Sequence, residues 1–225
     1  MNRDSWRLGT DMNDYRSLVL SLSPVAYWRL GEKSGTVARD EMGLHHGAYV
    51  GSPTLGVPGA LAGDANTAVA LNGTTQYATI VSLPLLQTLS ISAWVKIAVA
   101  GTYVVIGQGL GGFQFYPNGD GSITLDVNGG GPVLNAVPGS FTFGPWHHVV
   151  ASYGPTSGSV YVDGVAVSTT WAARTFTAVP ETVIGAQATT LNFKVSGSID
   201  EVAIWSRALT AANVAALYQT GRKYR

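Results

Sequence analysis

The run "WHHVVASYGPTSGSVYVDGVAVS" (Trp146 to Ser168) limits the possible folds more than any other part of the chain. Within it Val160 and Val162 alternate with Ser159, Tyr161 and Asp163, the period of two of a strand with one face buried. Val160-Tyr161-Val162, Asp163-Gly164 and Val165-Ala166-Val167 form a hairpin signal, because Asp-Gly accepts the positive φ angles of a type I′ turn. Similar short runs follow one another at hairpin spacing. "TLSISAWVKI" sets Leu89, Ile91, Ala93, Val95 and Ile97 on one face and Thr88, Ser90, Ser92, Trp94 and Lys96 on the other. "YVVIGQG", "GFQFYP", "SITLDV", "TVIGA" and "GSIDEVAIW" are divided by Gly-rich breaks. Many short strands with regular turns predict an all-β, two-sheet antiparallel sandwich rather than a parallel α/β fold.

One helix is expected, over "LTAANVAALYQTG" near the C-terminus. Thr210 caps its start, Gly221 ends it, and Leu209 with Val214 forms a hydrophobic staple. Asn213 stands where a capping box wants Glu or Gln, so that box is expected to be incomplete. Val214, Leu217 and Tyr218 make an apolar stripe. Residues 1–16 are polar apart from Trp6 and Leu8, and read as an arm that docks on a neighbour through those two side chains. Residues 17–225 form a single domain in this reading, with a β pattern from Leu18 onward.

Charged residues make up 12% of the chain against a usual share of about 25%, and the formal net charge is zero. Nothing there steers the chain to nucleic acid or an anionic membrane. The chain has no cysteine, which excludes disulfides and thiolate metal sites. It shows no secretory signal and no apolar run of the roughly 18 residues that a membrane span needs.

The four histidines occur as His45-His46 and His147-His148. Neighbours on a strand face opposite ways, so a pair does not chelate one ion, and the expectation is one ring inside and one at the surface. A sandwich glycosidase needs two carboxylates about 5 Å apart, taken from alternate strand positions. The adjacent acids here, Asp40-Glu41 and Asp200-Glu201, lack such spacing, and a non-enzyme is expected. "NGDG" (Asn118 to Gly121) reads as a hairpin turn rather than a calcium loop, and "ARDEMGLHHGAY" (Ala38 to Tyr49) as a Gly-rich loop able to turn carbonyls toward a hard cation.

The order "PVAYWRLGEKSGTVARDEMGLHHGAYVG", "AVALNGTTQYATI", "LSISAWVK", "WHHVVASY…GSVYVDG", "GSIDEVAIWSRALTAANVAALY" resembles the laminin-G-like, concanavalin A-like jelly-roll domains, including their pentraxin-like branch. The resemblance runs from about Leu18 to Gly221. It implies a jelly roll in which Trp146, His147 and His148 are scaffold. It also implies a structural Ca2+ held by Asp40 and Asp200, with carbonyls near Gly43 and His45. Where the family often has a Gly-Asn-Gly loop, this chain has Gly43-Leu44-His45.

The opening "SLVLSLSPVAYWRLGE" with "GVPGALAGDANTAVALNG" resembles laminin-G-like modules of phage structural proteins and of secreted bacterial adhesins. That likeness implies a virion protein on tail or capsid, assembled in the host cytoplasm. It would be oligomeric there, held to other virion subunits by its arm and binding host-surface glycan. In jelly-roll lectins, rim loops stack aromatics on sugar rings. The candidates here are Tyr116, Asn118 and Asp120 in one turn and Trp171 with Arg174 in another. The alternatives are a decoration or cement protein with no ligand, or a secreted adhesion module.

Overall fold

The computed structural model describes residues 14–81, 83–127, 129–177 and 181–222. Trp6 and Leu8 lie outside them. The chain opens with helix α1 (Tyr15–Ser21) and then strands β1 (Ala26–Trp28), β2 (Val37–Ala38), β3 (Gly47–Val50) and β4 (Thr54–Pro58). Next come β5 (Thr67–Asn72), β6 (Tyr77–Ile80), β7 (Leu89–Ile97), β8 (Ile106–Gln108), β9 (Phe113–Pro117) and β10 (Ile123–Val127). They are followed by β11 (Gly131–Ala136), β12 (Trp146–Tyr153), β13 (Gly158–Val162), β14 (Val165–Ala166) and β15 (Ser168–Trp171). The chain closes with β16 (Thr182–Ile184), β17 (Ser196–Trp205) and helix α2 (Ala211–Gly221).

The strands form two antiparallel sheets, one in the order β14-β13-β12-β7-β17-β5-β4 with β1 beside β17, the other β15-β11-β10-β9-β8-β16-β6-β3-β2. The alternation read in "TLSISAWVKI" sets which side faces in. Leu89, Ile91, Ala93, Val95 and Ile97 meet Phe113, Phe115, Ile123 and Leu125 of the other sheet in one core. Each such Val, Leu, Ile or Phe side chain contributes roughly 1.5–3 kcal/mol on burial. The Asp163-Gly164 turn joins β13 to β14 with φ of 51° and 80°, as a type I′ hairpin requires.

The other face of β7 is buried too. Trp94 packs with Tyr15 and Val19 of α1 and with Val214 and Leu217 of α2, together with Val150 and Trp205. Helix α1 departs from the expected polar arm and β pattern. Seven residues are too few to show a helical period, and "SLVLS" has strand-like composition. Asp14 decides the start by accepting the Ser17 N–H, while burial of Tyr15 and Val19 fixes the face.

Helix α2 follows its expected bounds, with one correction. The capping box is complete, because the Asn213 side chain accepts the Thr210 backbone N–H at 3.1 Å. The shorter amide substitutes for the glutamate. Both His147 and His148 are buried, at 9% and 0% exposure, so neither is the surface ring that alternation suggested. His147 bridges Thr142 and Asp163 at 2.8 Å each, and His148 sits 2.8 Å from the Ser92 hydroxyl under the helices. Both read as scaffold.

Candidate binding pocket on the outer sheet face

Phe113 and Phe115 of β9 face the core, so Gln114 and Tyr116 must face outward. On β10 the same alternation turns Thr124 and Asp126 outward, and the register pairs Thr124 with Tyr116 and Asp126 with Gln114. The sheet therefore carries a four-residue polar patch on the side away from the core. Gly107 of β8 lies opposite Gln114, where a Cβ would sit 3.3 Å from Val104 Cγ1 and 3.5 Å from the Ala188 nitrogen.

The segment after β16 closes over this patch. The Leu191 N–H donates to the Gln187 carbonyl at 2.9 Å and the Gln187 N–H to the Asn192 carbonyl at 3.0 Å. The Phe193 carbonyl accepts the Val104 N–H at 2.9 Å. Leu191 and Phe193 take φ of 55° and 50°, a left-handed conformation that costs a non-glycine residue about 1–3 kcal/mol. The strained backbone presents Phe193 with 51% of its surface exposed. A cavity of about 250 Å³ results, lined by Gln114, Tyr116, Asn118, Asp126, Gln187 and Phe193, with Thr102 and Val104 at its side.

The Tyr116 hydroxyl donates to Asp126 Oδ2 at 2.8 Å. Asp126 Oδ1 is shielded from solvent and has no partner among the described residues. Burial raises the Asp126 carboxyl above its ordinary value, and the Tyr116 hydroxyl offsets part of that. Burial and the neighbouring carboxylate likewise push the Tyr116 phenol up. The Asn118 amide donates to the hydroxyls of Ser122 and Thr124 at 3.0 and 2.9 Å, which fixes it at the cavity edge. Amides, a phenol, a carboxylate and an exposed ring thus converge on one depression. This mix suits a ligand with many hydroxyls and one apolar face.

Of the five residues expected to bind sugar, the fold brings Tyr116 and Asn118 into this cavity. Asp120 stays in the turn, where it accepts the Ser122 N–H at 2.9 Å, and that segment is a hairpin connection. Trp171 lies on edge strand β15, packed over Gly158 and 37% exposed. Arg174 lines two separate open grooves, one beside Gln87 and Tyr153 and the other beside Leu110 and Val127. Gln114, Asp126, Gln187 and Phe193 were not anticipated. The polar residue between the two phenylalanines of "GFQFYP" and the lone aromatic in "TTLNFK" were the available signals.

The Asp40 loop does not fit a calcium ion. Asp40 Oδ1 accepts the N–H groups of Tyr27 and Met42 at 2.9 and 3.0 Å, and Oδ2 those of Leu44 and His45 at 3.0 and 2.9 Å. Four N–H dipoles converge where an ion would need carbonyls. The His45 carbonyl accepts the Trp28 indole N–H at 2.7 Å, and the Gly43 N–H points back to the Asp40 carbonyl. Among the described residues Asp200 shares no hydrogen-bond partner with Asp40. It accepts the Ala60 N–H at 2.8 Å and the Asn66 amide at 3.3 Å. Among the described residues no group of three or more His, Asp or Glu side chains is placed to hold a metal.

Asp200 and Glu201 are both sealed from solvent, at 1% and 0% exposure. Glu201 sits at a bulge of β17 with φ of 54°, paired with Arg29 at 2.8 Å and bonded by the Tyr27 hydroxyl. Burial raises both carboxyls.

The family model described as the concanavalin A-like lectin/glucanases superfamily matches residues 72–215. The chain belongs to this family. A search of curated proteins finds no match. Among solved structures, the chain is similar to a Trypanosoma rangeli sialidase in complex with 2,3-difluorosialic acid. There the TM-score is 0.65 at 19% identity, over 89% of this chain and 33% of that one. A structure described as a receptor binding domain gives 0.67 at 11% identity, over 91% and 53%. A further structure, the HCR/D F1240A mutant, gives 0.67 at 13%, over 88% and 51%. This superfamily member therefore spans about a third to a half of each neighbour, and at these identities they share its fold alone.

Proposed function

We propose that the chain is a non-catalytic carbohydrate-binding module, and that its setting is the surface of a phage virion, where the ligand is a host-surface glycan. One observation carries the binding reading: the Phe193-capped polar cavity lies on the opposite side of the sandwich from both ends of the described chain. Asp14 and Gly221 line a single cavity on the helical side, with α1 and α2 covering the outer face of the first sheet. The pocket opens from the outer face of the second sheet. A module tethered on its helical side leaves the pocket free. A cement protein gains nothing from an exposed aromatic held in a strained backbone on its free face. The sealed state of Asp200 and Glu201 supports a non-catalytic role, since a glycosidase needs its carboxylates open to substrate. The virion setting draws on the likeness of the opening motifs and on the low charge.

The test is binding to an array of bacterial surface glycans by the wild type and Phe193→Ala. Saturable binding weakened about tenfold or more in the variant is expected, because a Phe face buried on a sugar contributes roughly 1.5–3 kcal/mol. Binding that Phe193→Ala leaves unchanged would move the site elsewhere. Absence of binding would favour the structural decoration role.

A further inference from the structure

We propose that this pocket selects uncharged hexoses and rejects sugars that carry a carboxylate; the inference rests on the binding reading above and names the ligand class of that site. The charge balance of the lining is the ground. Gln114, Asn118 and Gln187 are neutral amides, and no Arg, Lys or His lines the cavity. Its only acid is Asp126. Lys194 is next to Phe193 in the chain, but its ammonium donates to the Leu191 carbonyl. A carboxylate on the ligand would meet Asp126 with no cation in the cavity lining to pair with it, and partial burial strengthens that repulsion.

The hydrogen-bond inventory points the same way. A carboxylate can only accept, and Tyr116 already spends its single hydroxyl proton on Asp126 Oδ2. The Asn118 amide is likewise engaged, with the Ser122 and Thr124 hydroxyls. Asp126 lines the cavity and can accept from a sugar hydroxyl, which supplies a donor where a carboxylate does not. Hydroxyls can also exchange donor and acceptor roles with the amides, while the apolar face of the ring covers Phe193.

The experiment compares neutral hexose oligosaccharides with counterparts oxidised at C6 to the hexuronate, by titration calorimetry at neutral pH. The hexuronates are expected to bind about tenfold more weakly or worse, from one uncompensated like-charge contact. Asp126→Asn removes the charge and keeps the size, so the ratio between the two sugars should collapse toward one. Tyr116→Phe keeps the charge, so the ratio should persist whatever happens to affinity. Equal or tighter binding of the hexuronate to the wild type would overturn the inference while leaving a sugar site standing. Discrimination that survives Asp126→Asn would overturn it as well. If neither sugar class binds, the carbohydrate reading itself falls, and this one with it.

Discussion

Replacing His148 with glutamine should flatten the acid side of the stability profile. The ring is completely buried, 2.8 Å from the Ser92 hydroxyl, with its centroid 5.1 Å from that of Trp94. Burial pushes the imidazole down to about 3 from an ordinary 6.5, and the Asp163 carboxylate recovers only part of the loss. The folded chain therefore refuses a proton that the unfolded chain accepts. Stability is complete above about pH 6.5 and falls as pH drops through that value, levelling off only near pH 3. At pH 5 the loss is about 1.5 pH units, or ~2 kcal/mol, and the limit near pH 3 is about 5 kcal/mol. Urea unfolding followed by tryptophan fluorescence at pH 7.5 and pH 5 measures it. The stability gap between wild type and His148→Gln should shrink by about 2 kcal/mol at the lower pH, since the carboxylates titrate alike in both chains. Parallel profiles would refute a buried neutral imidazole.

Asp40→Asn should cost about 3 kcal/mol, since one pair of N–H groups would face an amide in place of a carboxylate oxygen. Adding calcium or chelator should leave the wild-type melting temperature unchanged in the same thermal scan. Gly221→Ala should destabilise by about 1 kcal/mol even though alanine favours helices. Its Cβ would lie 2.5 Å from Trp94 Cζ2, and overpacking of about 1–3 kcal/mol outweighs a propensity gain of about 1. Denaturant midpoints decide the sign. Trp171→Ala should leave glycan binding within about twofold of wild type, because Trp171 lies outside the cavity.

The sandwich was legible because its alternation spans whole strands. Leu89 through Ile97 could face inward in only one register. The Asp-Gly turn carried its own conformation. Helix α1 was not legible, since its stability comes from covering Trp94, a contact that no local pattern announces. The site was legible only in its smaller part, for the same reason. Tyr116 and Asn118 stood out beside a turn, but Asp126 and Gln114 become neighbours only through the β9–β10 register. Phe193 and Gln187 arrive from a loop nearly 70 residues further along. The Asp40 loop has the acid and glycines of an ion site, yet the chain turns its N–H groups inward and its carbonyls away. Composition cannot distinguish those two choices.

The most direct measurement is an amide chemical-shift map of the isotopically labelled protein during titration with a neutral oligosaccharide from the array. Saturating shifts are expected to concentrate at Gln114, Asp126, Gln187 and Phe193, with Arg16, Gly63 and Thr220 on the helical side unmoved. Shifts centred on Trp171 and Arg174, or on the helical face, would contradict the pocket assigned here.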